Sequence, residues 1–103
     1  MTVVATAVVA AARFVGMFTG AHCAAAAKAQ GIARYAGVAG DALAVTVAGT
    51  ERVESGAAFA KGVALKSDAT GRAIAQGGAG EIIAYSSEAV GGAGVITEVL
   101  LAL

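Results

Sequence analysis

Gly62-Val63-Ala64-Leu65-Lys66-Ser67-Asp68-Ala69-Thr70-Gly71-Arg72-Ala73-Ile74-Ala75-Gln76 is the stretch whose reading decides the fold. Its first six residues read as a strand. Ser67 to Arg72 then reads as a hairpin turn, because an aspartate can accept hydrogen bonds from its own turn and glycine supplies a positive φ. Arg72 to Gln76 returns antiparallel. A helix has no place in this pattern, so the reading grows outward in β units.

Downstream, Gly77-Gly78-Ala79-Gly80 is a connector, Glu81 to Ser86 a strand, Val90 to Gly94 a glycine-rich loop and Val95 to Leu101 a closing strand. Upstream, Ala42 to Ala48 reads as a strand with Leu43, Val45 and Val47 on one face. Gly49-Thr50 begins a turn, Glu51 to Glu54 is a polar strand or connection, and Ser55-Gly56 breaks it. Thr2 to Val9 is β-branched and has no helix cap before it, so it reads as a strand or an extended arm. Phe14 to Phe18 is a second short apolar stretch. Ala21 to Gln30 is alanine-dense, which allows one or two helical turns ended by Gly31. It lacks amphipathic periodicity, which leaves an irregular loop equally open. Strands every 8–12 residues with turn signals between them imply a small all-β barrel or sandwich.

Two internal echoes occur. Ala39 to Ala44 resembles Ala79 to Ala84, and Gly31-Ile32-Ala33 resembles Gly62-Val63-Ala64. Their spacings differ, and a chain this rich in Ala and Gly matches itself easily.

The composition bounds the function. Of 103 residues, 29 are Ala and 15 Gly, so the core must be built from small side chains. Ala burial contributes far less than burial of Val or Leu, while every ordered residue costs backbone entropy. Such a domain gains from oligomerisation or from a partner surface. Seven basic and seven acidic residues leave no net charge, and the basic ones are scattered; no nucleic-acid partner is expected. With five aromatic residues (Phe14, Phe18, Phe59, Tyr35 and Tyr85) there is no base-stacking platform. Met1 to Ala12 is nearly all apolar, but no basic residue precedes it and Arg13 ends it too soon to span a bilayer. Neither a signal peptide nor a membrane partner is expected. Gly20-Ala21-His22-Cys23 lacks the small residue a lipoprotein cleavage box needs before its cysteine.

Catalysis needs a nucleophile, a base and a group to orient them. His22 and Cys23 are the sole histidine and cysteine, and as neighbours in an extended chain they point to opposite faces. They cannot build a zinc site within one chain, and one cysteine makes no internal disulfide. Asp41, Glu51, Glu54, Asp68, Glu81, Glu88 and Glu98 are dispersed among turns and strand ends. Gly77 to Gly80 lacks the Gly-Lys-Ser/Thr ending of a phosphate loop. The expectation is a protein without enzymatic activity, metal or cofactor.

From Gly31 to Leu103 the chain resembles the small capsid decoration, or cement, proteins of tailed bacteriophages. The resembling segments run in order: Ala39-Gly40-Asp41 followed by the apolar Ala42–Ala48 and Gly49; Ser55 to Asp68; Thr70 to Ala75; Ala79 to Ser86; and the closing Val95 to Leu101. Ala84 departs from the pattern, standing where family members often carry Gly.

The resemblance implies an all-β domain, a small β-barrel or β-tulip-like unit with an extended N-terminal arm. Residues 1–20 would be that arm or the first strands, and residues 21–103 the barrel. It implies a homotrimer on the outer surface of the virion, bound to the major capsid protein and clamping the expanded shell. Val3, Val4, Val8, Val9, Arg13, Phe14 and Phe18 are the candidate capsid contacts, unless they are simply the domain's own first strands. Val99, Leu100, Leu101 and Leu103 are the candidate trimer contacts, unless they are buried within one barrel. A tail- or surface-associated binding module without catalytic activity is the alternative, although few aromatics and no Asn argue against sugar binding.

Overall fold

The computed structural model describes residues 1–103 and contains nine strands and no helix. They are β1 (Thr2–Val4), β2 (Arg13–Gly16), β3 (Ala29–Ala33), β4 (Ala42–Thr46), β5 (Thr50–Glu54), β6 (Ala64–Ser67), β7 (Ala73–Ala75), β8 (Ala84–Ser86) and β9 (Ile96–Leu101). Every strand pairing within the sheets is antiparallel. One sheet has the order β1-β4-β3-β2 and the other β5-β9-β8-β6-β7. The molecule measures 36 × 22 × 22 Å.

The turn at Asp68 joins β6 to β7, with Lys66 opposite Ile74 and Ser67 opposite Ala73. The alanine-rich stretch is not helical. Its backbone groups bond to distant segments instead: Cys23 N–H to Phe14 O at 2.8 Å and Ala26 N–H to Ser67 O at 2.9 Å. Gly31, expected to end a helix, sits inside β3. A Cβ there would lie 2.3 Å from Thr46 O, so glycine is what lets β3 and β4 approach.

The two sheets are copies of one design, related residue by residue. β1 pairs β4 as β5 pairs β9: Val3 faces Leu43 where Val53 faces Thr97. β2 pairs β3 as β6 pairs β8: Phe14 faces Ile32 where Ala64 faces Tyr85. β3 pairs β4 as β8 pairs β9: Ala33 faces Val45 where Ser86 faces Val99.

The irregular segments repeat too. Val9 and Gly37 exchange two backbone bonds, as do Phe59 and Val90. Gly40 N–H bonds to Ala5 O at 2.8 Å, and Gly94 N–H to Ser55 O at 2.8 Å. Thr6 N–H bonds to Gly20 O as Gly56 N–H bonds to Ala73 O, so the bridge at residues 20–22 stands in for β7. Residue n of the first half thus corresponds to n + 50 before the 16–20 loop, n + 53 after it and n + 54 beyond Gly37. The sequence echoes noted above, at spacings of 40 and 31, are not this repeat; Ala39-Gly40 corresponds to Ala93-Gly94. Residues 1–20 supply β1 and β2, the first strands of the first sheet, and the two sheets divide between β4 and β5.

Each half has its own interior. Val9, Val15, Leu43 and Val45 form the smaller cluster with Ala5 and Ala33. The larger cluster holds Val53, Phe59, Leu65 and Val99 of the second half, together with Phe14, Cys23 and Ile32 of the first. Phe14 and Ile32 thus carry the first half onto the second. Burying each such side chain contributes roughly 1.5–3 kcal/mol.

Candidate functional site

His22 and Cys23 are structural groups. His22 Nε2 accepts the Ala10 N–H at 2.9 Å, which pins the 10–12 turn to the neighbouring segment. Burial first, then the charge of Arg13, lowers its pKa; Asp68 opposes them. Cys23 is fully buried, and its thiol points at the carbonyls of Lys28 and Ala27 at 3.4 and 3.5 Å. Burial pushes its pKa up, partly countered by Ser67. A protonated, enclosed thiol is a poor nucleophile. No three His, Cys, Asp or Glu side chains gather as metal ligands, and no pocket indents the surface.

The ion pairs gather at the seam between the halves. Arg13 Nη2 lies 3.2 Å from Glu54 Oε2, and Arg13 Nη1 donates to Thr70 O at 3.0 Å. Arg72 Nη1 approaches the same Glu54 oxygen at 3.8 Å and its Nε donates to Asp68 Oδ2 at 3.0 Å. Asp68 Oδ1 accepts the backbone N–H groups of Thr70 and Arg72, both at 2.9 Å. Burial alone would raise the Asp68 pKa, but these donors outweigh it and the net shift is downward. Further along, Thr46 Oγ1 donates to Glu51 Oε2 at 2.7 Å, and Arg34 Nε lies 3.4 Å from that oxygen. Phe14 N–H bonds to Gly71 O at 2.7 Å, so the Asp68 turn is pressed against β2. This cluster joins the halves and presents no open reactive group.

The anticipated contact residues divide. Val9 and Phe14, both 0 % exposed, lie in the smaller and larger clusters and are closed to any partner. Arg13 is committed to Glu54. Val3 is half-buried against the smaller cluster. Val4, Val8 and Phe18 remain exposed, Phe18 at 83 %. At the other end, β9 alternates: Val99 and Leu101 face the core, while Leu100 and the terminal Leu103 are each 50 % exposed. The two-residue period of a strand thus buries Val99 and Leu101 within the domain, the alternative already open for them, and leaves Leu100 accessible, with Leu103 accessible beyond the strand's end. The sequence reading also passed over Tyr85, which pairs with Leu100 on the outer face of the second sheet. The alternation of Ala84, Tyr85 and Ser86 between buried and exposed is the signal that marks it.

The anticipated contact residues that stay exposed are apolar: Val4, Val8, Phe18, Leu100 and Leu103. No protein-family model matches the chain, and comparison with curated proteins found no match. Among solved structures it is similar to the N base of head fiber gp8.5 of bacteriophage phi29. The likeness has a TM-score of 0.82 at 18 % identity and spans 99 % of this chain and 92 % of that one. The two proteins share a fold. Here that fold is the duplicated nine-strand arrangement, matched from end to end rather than in one half.

Proposed function

We propose that this chain is a structural protein of a phage head, a capsid decoration protein that binds the outer surface of the shell and bridges major capsid subunits. The observation that carries the reading is the end-to-end likeness to the base of a phage head fiber. The ordered resemblance of residues 31–103 to cement proteins supports it from the sequence side. The surface agrees in kind, with an exposed apolar residue at Val8 and another at Phe18, on a loop tip where the backbone is held at φ 59°. We take these two as the capsid contacts. The protein acts as a homotrimer without enzymatic activity, so that several weak contacts engage together and avidity replaces single-site affinity.

Adding the purified chain to heads that lack it tests the reading. The chain should pellet with expanded heads and raise the temperature at which they release DNA. Failure to pellet at micromolar concentration, with the chain folded, overturns it.

A further inference from the structure

The seam inside the molecule is heterologous: the outer face of the first half packs on the end of the second. The first half contributes the row Phe14–Ile32–Thr46, cross-strand neighbours on β2, β3 and β4. The second half contributes β5, through Glu51 and Glu54, and the Asp68 turn. Because the halves are equivalent, each still carries the side of this seam that it does not use.

The row in the second half equivalent to Phe14–Ile32–Thr46 is Ala64–Tyr85–Leu100. Phe14 and Ile32 are fully buried, whereas Tyr85 is 40 % and Leu100 50 % exposed. The positions in the first half equivalent to Glu51 and Glu54 are Met1 and Val4, each 61 % exposed. Met1 occupies the Glu51 position because its carbonyl accepts the Val45 N–H, as Glu51 pairs with Val99.

The two free faces also match each other chemically. Inside the molecule Glu54 meets Arg13, and Glu51 meets Thr46. At the free ends the corresponding pairs are Val4 with Val63, which is half-buried against the edge of the larger cluster, and Met1 with the half-exposed Leu100. In each pair both side chains have changed from polar to apolar, and the Met1 ammonium beside them donates to Val45 O at 2.9 Å within its own half.

We propose that copies of this chain join head to tail, the Met1–Val4 face of one seating on the Val63–Tyr85–Leu100 face of the next, in the geometry of the internal seam. A heterologous junction closes into a ring when its rotation permits. The proposal rests on the self-association put forward above and names its surface: the trimer is a ring of three such junctions. Val4 then serves the junction between copies, not the capsid.

Complementation between two variants tests this. Val4→Arg spoils one face and Leu100→Arg the other; both sites are exposed, and circular dichroism checks that each variant folds. By sedimentation the wild type should be oligomeric and each variant alone a 9.8 kDa monomer. Their equimolar mixture should form a species of twice that mass and no larger, since only one intact junction can form. A mixture that stays monomeric, or variants that remain oligomeric alone, overturns the head-to-tail junction while leaving a trimer through another surface. A wild type that is monomeric at every concentration overturns both. Pelleting with heads reports on the capsid reading separately.

Discussion

Arg13 and Glu54 stand in different halves of the molecule, and their charged groups meet at 3.2 Å, the Arg13 side chain 18 % and the Glu54 side chain 23 % exposed. The same guanidinium holds Thr70 O, so a single side chain fastens β2 to both β5 and the Asp68 turn. Charge-assisted hydrogen bonds in partly buried sites contribute more than surface ion pairs. Arg13→Ala should lower stability by about 1.5–3 kcal/mol in urea unfolding. A loss under about 0.5 kcal/mol, the usual scale of surface substitutions, would show that the seam does not depend on this pair.

Gly71 tests how closely the halves fit. Its φ is 78°, and a Cβ there would lie 2.6 Å from Phe14 O. Gly49 has a similar φ of 80° with open space around it. Gly49→Ala should cost about 1 kcal/mol through backbone strain alone. Gly71→Ala should cost at least about 2 kcal/mol, because the strain is joined by a backbone clash. Equal losses in thermal unfolding would contradict the packing of the turn on β2.

Acid should weaken the fold in two stages. His22 has a pKa below its ordinary 6.5, so the fold favours neutral imidazole, which accepts the Ala10 N–H. Its contribution is complete above 6.5 and is lost as pH falls through the lowered folded value. Asp68 is held below its ordinary 3.8, so its contribution is complete above that value and disappears further into acid. The unfolding midpoint should therefore stay level from 6.5 up to 9.0, the ordinary thiol value above which the raised Cys23 pKa costs stability, and decline below 6.5, and His22→Gln should abolish the first acid stage. A midpoint that rises between pH 7 and 5 would contradict the assignment.

Phe14 and Phe18 lie four residues apart and should behave oppositely. Phe14→Ala empties a fully buried site and should cost about 3–5 kcal/mol. Phe18→Ala removes an exposed ring; stability should change by less than about 0.5 kcal/mol while binding to phage heads weakens. Urea unfolding and pelleting with heads measure the two effects. Loss of stability in both variants would place Phe18 in the core.

Much of this architecture was legible in the sequence because its strands are bounded by strong turn chemistry. The Asp68–Gly71 turn, the Val90–Gly94 loop and β9 all lie where the residues put them. The alanine-rich stretch was harder: helix propensity there is real, but backbone bonds from Cys23 and Ala26 to other segments prevail. The duplication was hidden for a different reason. Its two halves conserve hydrogen-bond positions more than side chains, and a three-residue difference between the 16–20 and 66–73 loops shifts the register part-way. Phe14 showed as apolar but not as buried by the second half, because its fate depends on a seam that only the folded chain reveals. Tyr85 does not stand out when Glu81 to Ser86 is placed as a strand without assigning its residues to faces.

The proposed place of this chain in a phage head is tested most directly by its abundance in purified particles. Particles produced from the genome that encodes the chain would be banded on a density gradient, and the 9.8 kDa protein quantified against the major capsid protein. A fixed ratio near one copy per capsid subunit, held in intact particles and in DNA-filled heads stripped of tails, is the predicted result. Particles that band intact without the chain would contradict the account.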